Sequence, residues 1–383
     1  MTTQTQHYVS RQTGLIMLLS AVGLAIGLLI AMMGLGSQGH AAFNTTSDGV
    51  VWGLPISTYV FFVLTSTGLT FVASLALIFG FKEFYPIAKR CVWLAFATLI
   101  AGFAVLALEL GHPFRMLWVL PFSFQIQSAM FWMGLFYTLD LIFMLWKFSK
   151  MQQGDWESTT SRQLGIASLV AVILASGCLG LIFGMMSMRP AWFGGLTPVY
   201  FLTTAAVTGA ALALMNTYLA HGFSQANMSE RLRGLITNAA PKVFAAVLFV
   251  ALLFVGGRII TGLWSYQDGF QVFDHIVSTP LFHLSLWGGL VIPLVLMLTP
   301  SLRSQGGVQL IAAGLAFVGM FINHYQFLLS GQLVPMFKGS WVPGLVQYTP
   351  STTEWSLVLV GFSLAFLIYA VGEKMFSLSA QPD

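Results

Sequence analysis

Ten continuous apolar runs, near 14–35, 56–80, 91–110, 127–147, 164–188, 197–221, 241–264, 280–299, 307–329 and 353–372, decide what this chain can fold into. Each is close to the ~20 residues a helix needs to cross a ~30 Å hydrocarbon core. Unpaired backbone amides are not tolerated in lipid, so runs of this length fold as helices. The expected fold is an all-α polytopic membrane protein of about ten transmembrane helices, one integral membrane domain over 1–383. No soluble domain or disordered linker is expected. Composition agrees: 57% of the 383 residues are hydrophobic and 7% are charged, against about 25% charged in a soluble domain. The first run is longer than the ~7–15 apolar residues of a signal-peptide core, so it is read as a retained helix.

The basic residues report topology. Arg11, Lys82, Lys89, Arg90, Lys147, Lys150, Arg162, Arg231, Arg233, Lys242, Arg303 and Lys374 flank one set of connections, and the opposite set holds only Arg115, Arg189 and Lys338. By the positive-inside rule the first set is cytoplasmic. Both termini are then expected in the cytoplasm, and the membrane is taken to be the bacterial cytoplasmic (inner) membrane. The formal charge of +4 does not indicate a nucleic-acid partner, because the 16 basic residues form no stripe. The outer loops, 36–55, 111–126, 189–196, 265–279 and 330–352, are the longer and more aromatic ones, suited to a site or a partner surface.

An internal repeat is visible at an offset of 141. Tyr59 pairs with Tyr200, Thr67 with Thr208 and Gly68 with Gly209, while Trp52-Gly53-Leu54-Pro55 and Trp192 to Pro198 open the second and sixth runs. Arg115 and Arg258 each precede a Trp, Trp118 or Trp264. Four helices separate the copies, so both run in one direction, which implies a pseudo-two-fold axis along the membrane normal. Two four-helix bundles are expected, helices 2–5 over 54–188 and helices 6–9 over 197–330, flanked by helices 1 and 10.

Ionisable groups inside a membrane are costly and are functional candidates by default. Glu109, His112 and Arg115 leave the third run on the outer side, with Tyr59 one turn below that face and Glu354 starting the tenth run from it. Arg258, His283, Asn323, His324 and Gln326 share the outer leaflet. The plainer alternative is that Arg and Glu snorkel while Gln, Asn and Tyr tie helices together.

A quinone head group suits such a cluster: its carbonyls take hydrogen-bond donors, its reduction takes two protons, and its tail needs lipid access. His112 exchanges protons near neutral pH and Glu109 relays them. Tyr59 donates to a carbonyl, and Trp52, Phe114 and Trp118 pack the ring. Haem is the competing cofactor, with His283 and His324 as one axial pair; no second pair exists to carry electrons across. Cys91 and Cys178 lie in apolar runs and are expected to be buried and reduced. Two cysteines cannot hold an iron–sulfur cluster, which generally needs four ligands. Asp140 lies roughly 10 Å along the helix from Lys147. It is either part of a proton path from the cytoplasm or a packing acid.

In chain order, Trp52-Gly53, Leu110-Gly111-His112-Pro113-Phe114-Arg115, Arg189-Pro190 with Trp192, Asn323-His324, Gly331-Gln332, Pro335, Tyr348-Thr349-Pro350-Ser351 and Glu354-Trp355 resemble the NrfD/PsrC-type membrane subunits of respiratory oxidoreductases, the polysulfide reductase membrane-subunit family. The resemblance implies two four-helix bundles, a menaquinone or ubiquinone site on the outer side, and no haem or Fe–S cluster in this chain. It also implies an extracytoplasmic four-cluster ferredoxin-like Fe–S partner, often with a molybdopterin catalytic subunit beyond it. Carried over by position, the quinone pocket involves Glu109, His112 and Arg115, with Tyr59 and Gln127 nearby. One departure is His112, where the family usually carries Arg. The chain is then a non-autonomous subunit of a quinone-linked complex in electron transport, with proton translocation through Asp140 as an added expectation. A secondary transporter of a small solute or ion and a purely structural anchor stay open as alternatives. Against a transporter, Pro293 has no counterpart in the fourth run.

Overall fold

The computed structural model describes residues 3–46, 49–265, 269–335 and 344–382. Among these, ten helices are long and apolar enough to cross a membrane, and no strand occurs. They are α1 (Thr3–Gln38), α2 (Leu54–Leu77), α3 (Tyr85–Glu109), α4 (Ala129–Gln152), α5 (Thr159–Gly184), α6 (Thr197–Ala220), α7 (Ala240–Trp264), α8 (Pro280–Leu298), α9 (Gly306–Ser330) and α10 (Thr352–Met375). The all-α, multi-pass architecture expected from the apolar runs is the one observed.

Helix ends follow polar chemistry more than the apolar runs do. Ser158 caps α5 by accepting from the Ser161 amide, which starts that helix within a polar turn ahead of its apolar run. Ser351 and Glu354 form a reciprocal capping box at the start of α10. Pro55, Pro86, Pro198 and Pro241 sit in the first turns of α2, α3, α6 and α7, where a missing amide proton costs nothing. Within α8, Leu284–Val291 is wound as a π-helix, and Leu235–Ala239 leads into α7 in the same way.

Nearly all of α2 is buried, whereas α1 is buried mainly along its contact with α10. The helix α2 packs on α3, α5 and α6, and α4 packs on α3 and α5. On the other side, α6 packs on α7 and α9, and α8 packs on both of these. The seam between the two groups is the crossing of α2 with α6 at Gly68 and Gly209. A Cβ on Gly68 would lie 1.8 Å from the Ala205 carbonyl oxygen, so only glycine lets the backbones meet.

Side-chain contacts sort the connections into two ends. At one, which we call the aromatic end, His40 reaches Glu109, Gln332 reaches Trp52, and Arg189 donates to the Val334 carbonyl. At the other, the basic end, Arg231 donates to the Lys82 carbonyl, Tyr85 to Glu157, and Arg90 pairs with Glu373. Lys338, assigned from the sequence to the sparsely basic set, lies outside the described residues, as do the side chains of His7 and Arg11.

Candidate quinone-type cavity at the aromatic end

A cavity of about 660 Å³ opens at the aromatic end between α2, α3, α4 and α5. That volume falls within the ~300–1,000 Å³ of typical small-molecule sites. Its wall brings together Tyr59, Glu109, His112 and Arg115. These are four of the residues singled out in the sequence, contributed by α2, the end of α3 and the segment after it. Apart from Ser123, Gln125 and Ser128, the rest of the wall is apolar and aromatic, with Trp52, Phe103, Phe131, Met133, Leu179 and Phe183 prominent.

Each polar group has a distinct setting. The Tyr59 ring is buried against Phe103, 5.7 Å between centroids, and its hydroxyl donates to the Met133 sulfur at 3.5 Å. Sulfur is a weak acceptor, so this phenol is poorly satisfied and free to turn toward a better oxygen. Glu109 is the last residue of α3. Its carboxylate borders the cavity and accepts no hydrogen bond from the described residues, while its backbone carbonyl accepts from His40 Nε2 at 2.8 Å. A carbonyl only accepts, so that imidazole nitrogen carries the proton. His112 and Arg115 are exposed at the rim, His112 on the turn that leads into the short helix Pro113–Phe122 and Arg115 in its first turn.

Trp52 is held by the neighbouring loops. Gln332 Oε1 accepts from the amides of Val51 and Trp52, both at 2.9 Å, and Gln332 Nε2 donates to the Trp52 carbonyl. Two residues on, the Leu54 amide donates to the Tyr348 hydroxyl at 2.8 Å, and that hydroxyl donates to Glu354. Burial and the Glu354 carboxylate push the Tyr348 phenol above its usual range, so it remains a neutral donor. The Trp52 indole then stacks on Trp192 at 5.7 Å and meets Phe183 edge-on. Trp192 in turn donates to the Phe327 carbonyl at 2.8 Å.

The other sequence candidates lie elsewhere. Gln127 is exposed and does not line the cavity, whereas Gln125 and Ser128 do. Phe124, just before them, takes a positive φ of 48°. Phe114 and Trp118 are exposed and do not line it either. Asp140 is fully buried in α4, away from the cavity wall; its Oδ1 accepts from Ser168 at 2.6 Å and its Oδ2 has no partner. Arg258 is half-buried under the second group of helices, and His324 is buried with Nε2 at 2.9 Å from Thr204 Oγ1. His283 is exposed. Cys91 is buried, Cys178 half-buried, and both are free thiols. Among the described residues no group of three or more His, Cys, Asp or Glu side chains is placed to hold a metal ion.

Sequence reasoning missed His40 and, apart from Trp52, the apolar wall. His40 was traceable as an imidazole in a loop at the same end as Glu109. The wall residues carry no mark separating a cavity-facing Leu from a lipid-facing one.

Relatives of known sequence agree with this architecture. An Hdr-like menaquinol oxidoreductase integral membrane subunit from Archaeoglobus fulgidus is 25% identical, with 92% of each chain covered. A subunit of selenate reductase from Mesobacillus selenatarsenatis is also 25% identical, with 84% of each covered. Protein NrfD of Escherichia coli is 23% identical over 75% of this chain and 96% of its own length. The family model described as polysulphide reductase, NrfD, matches residues 43–336, most of the chain, and the protein therefore belongs to the NrfD polysulphide reductase family.

Proposed function

We propose that this chain is the quinone-interacting membrane subunit of a respiratory oxidoreductase complex. It exchanges electrons between the quinone pool and an iron–sulfur partner docked at the aromatic end, with a molybdopterin subunit beyond. The observation that carries this reading is the shared cavity of Tyr59, Glu109, His112 and Arg115 beneath an aromatic wall. The names of the relatives, a menaquinol oxidoreductase subunit and a selenate reductase subunit, support it. In this reading the aromatic end faces outward from the inner membrane, both termini are cytoplasmic, and the two groups of packed helices are the four-helix bundles 54–188 and 197–330.

The residues present fit a quinone head group. A bound quinone supplies a two-electron, two-proton couple. Tyr59 turns its hydroxyl from the Met133 sulfur to one carbonyl, and Arg115 at the rim favours negative charge on the head group. His112 holds or releases a proton at the mouth, and Glu109 passes it onward. Phe131, Phe183 and Trp52 flank the ring and exclude water.

The proton path is the finer part of the proposal. Tyr137 lies edge-on to Phe103 at 5.6 Å, and its hydroxyl is 3.1 Å from Ser176 Oγ, itself 2.6 Å from Thr67. Farther toward the basic end come Asp140 with Ser168, then Lys147, which donates to Ser161 at 2.6 Å. We read these side chains as stations between the cytoplasm and the cavity, joined by intervening water.

The test is quinol-linked turnover of the intact complex in membranes carrying Glu109→Gln or His112→Ala. Activity with a soluble artificial dye, read at the partner subunits, serves as the internal control. Quinol-linked turnover should fall at least about tenfold with dye activity retained. Full quinol-linked turnover in both variants would leave a structural anchor as the better reading. Solute counterflow in vesicles lacking any partner would favour a transporter.

A further inference from the structure

A second cavity, of about 520 Å³, lies at the same end but between α6, α7 and the 190–197 segment. Its one charged wall residue is Arg258. The guanidinium lies over the rings of Phe327, Phe273 and Tyr200, at 4.7, 5.3 and 5.8 Å. Nη2 donates to the Ala191 carbonyl at 3.2 Å and to Ser330 Oγ at 2.7 Å. Nε and Nη1 donate to none of the described residues, and none of the described carboxylates is within ion-pair distance. The Tyr200 hydroxyl donates its hydrogen bond to Asn323 Oδ1 rather than facing Arg258 as an anion.

A guanidinium at membrane depth with no counter-charge is expensive. Faces of aromatic rings repay only part of that. None of the described residues supplies the missing negative charge, which leaves Arg258 open to an anionic ligand. Among the described wall residues there is no carboxylate, imidazole or thiol, so none of them exchanges protons near neutral pH. Its rim carries Phe193, Leu196 and Leu253, all large, apolar and more than half exposed. A ligand seated on Arg258 therefore continues into hydrocarbon.

We propose that this cavity holds the head group of an anionic phospholipid, its phosphate on Arg258 and its acyl chains leaving past Leu253 along α7. Phosphate accepts the free guanidinium donors and cancels the charge. Basic pockets between transmembrane helices recognise lipid head groups in this way. A neutral quinone would leave the charge standing, and a free inorganic anion has no use for the apolar rim. The sequence repeat sharpens the contrast: Arg115, the counterpart of Arg258, sits exposed beside Glu109 and His112 in the first cavity. One half of the molecule thus carries proton-exchanging groups around its arginine, and the other carries aromatic rings.

The experiment uses the intact complex, reconstituted in phosphatidylcholine vesicles with a minor fraction of phosphatidylglycerol and re-extracted in mild detergent. Retained lipid is identified by mass spectrometry. Wild type should enrich phosphatidylglycerol over phosphatidylcholine by at least about tenfold, the value of one good charge-assisted contact. Arg258→Gln should abolish the enrichment. Gly257→Leu is the second arm, because a Cβ there meets nothing within 4 Å, so the side chain enters the cavity without touching the backbone packing. It should also abolish the enrichment while Arg258 stays in place. Equal retention of the two lipids by wild type, or enrichment that survives in Gly257→Leu, overturns the proposal. So does displacement of the lipid by millimolar inorganic phosphate, or loss of co-purified quinone in place of phosphatidylglycerol.

Discussion

Gly68 and Gly209 touch each other across the crossing of α2 and α6: a Cβ on Gly209 would fall 2.0 Å from the carbonyl carbon of Gly68. These glycines are 141 residues apart, the same offset that relates Tyr59 to Tyr200. Gly68→Leu should therefore destabilise the chain by about 3 kcal/mol through overpacking. Gly314→Ala, whose Cβ would meet nothing within 4 Å, should leave thermal unfolding in detergent nearly unchanged. Equal melting of the two variants would mean that the seam can open without cost.

Tyr59→Phe removes only a hydroxyl whose partner is a thioether. Stability should change by less than about 1 kcal/mol, since the weak bond lost is near the bottom of the usual range. If the phenol serves the head group of a quinone, KM for quinol should rise roughly threefold to tenfold, the value of one neutral hydrogen bond, with dye-linked turnover untouched. An unchanged KM removes Tyr59 from the binding residues.

Ten helices were legible because lipid leaves an uncharged run of that length no other fold. The same lipid argument singled out Glu109, a charge at the end of an apolar helix, and drew in His112 and Arg115 as its neighbours, which are exposed at the cavity rim. Two short helices, Pro113–Phe122 and Gln271–Val277, read as outer loops in the sequence, being too short to cross. The π-helical Leu284–Val291 was also invisible, because an apolar sequence looks alike under either winding. Gln127 shows a subtler limit. The resemblance points to it by position, yet Gln125 and Ser128, not Gln127, line the cavity. Arg115 is exposed at the cavity rim, whereas Arg258 lies against the rings of Phe273 and Phe327, a difference that the sequence does not mark.

Asp140→Asn keeps the shape of the side chain and its contact with Ser168 while removing the exchangeable charge. If Asp140 is a station for protons, quinol-linked turnover should slow and proton uptake per electron pair should fall, both measured in sealed vesicles. Ser168→Ala should do the same to a smaller degree, because it takes away the single hydrogen bond to the carboxylate. Normal turnover with normal proton uptake in Asp140→Asn would return this acid to a packing role.

His221 ends α6 at the basic end, where burial holds its imidazole below the ordinary value of 6.5. The Thr217 carbonyl, 2.8 Å from Nδ1, and the Glu373 carboxylate oppose that shift, and the charge of Arg90 adds to it. The folded state thus prefers the neutral ring. An unfolded chain takes up a proton as pH falls through 6.5, so the stabilisation is complete above that pH and declines below it. His221→Gln should flatten the acid side of the curve of melting temperature against pH, relative to wild type. Parallel curves would show that the ring titrates normally.

Arg90 on α3 and Glu373 on α10 form a pair at 2.7 Å with side chains only 5% and 9% exposed, and Tyr369 donates to the same carboxylate oxygen at 2.6 Å. The pair pins α10, and through it α1, to the first group of helices. Removing one partner strands the other charge in a low-dielectric interior, so Arg90→Gln or Glu373→Gln should each cost about 3–5 kcal/mol. Replacing both with Met and Leu of similar volume should recover much of that, because desolvation of the pair offsets most of its attraction. The double-mutant cycle, read from denaturation of the purified chain, decides whether attraction or shape holds α10. Additive single losses would mean that the two charges do not act on each other and that packing alone fixes the helix.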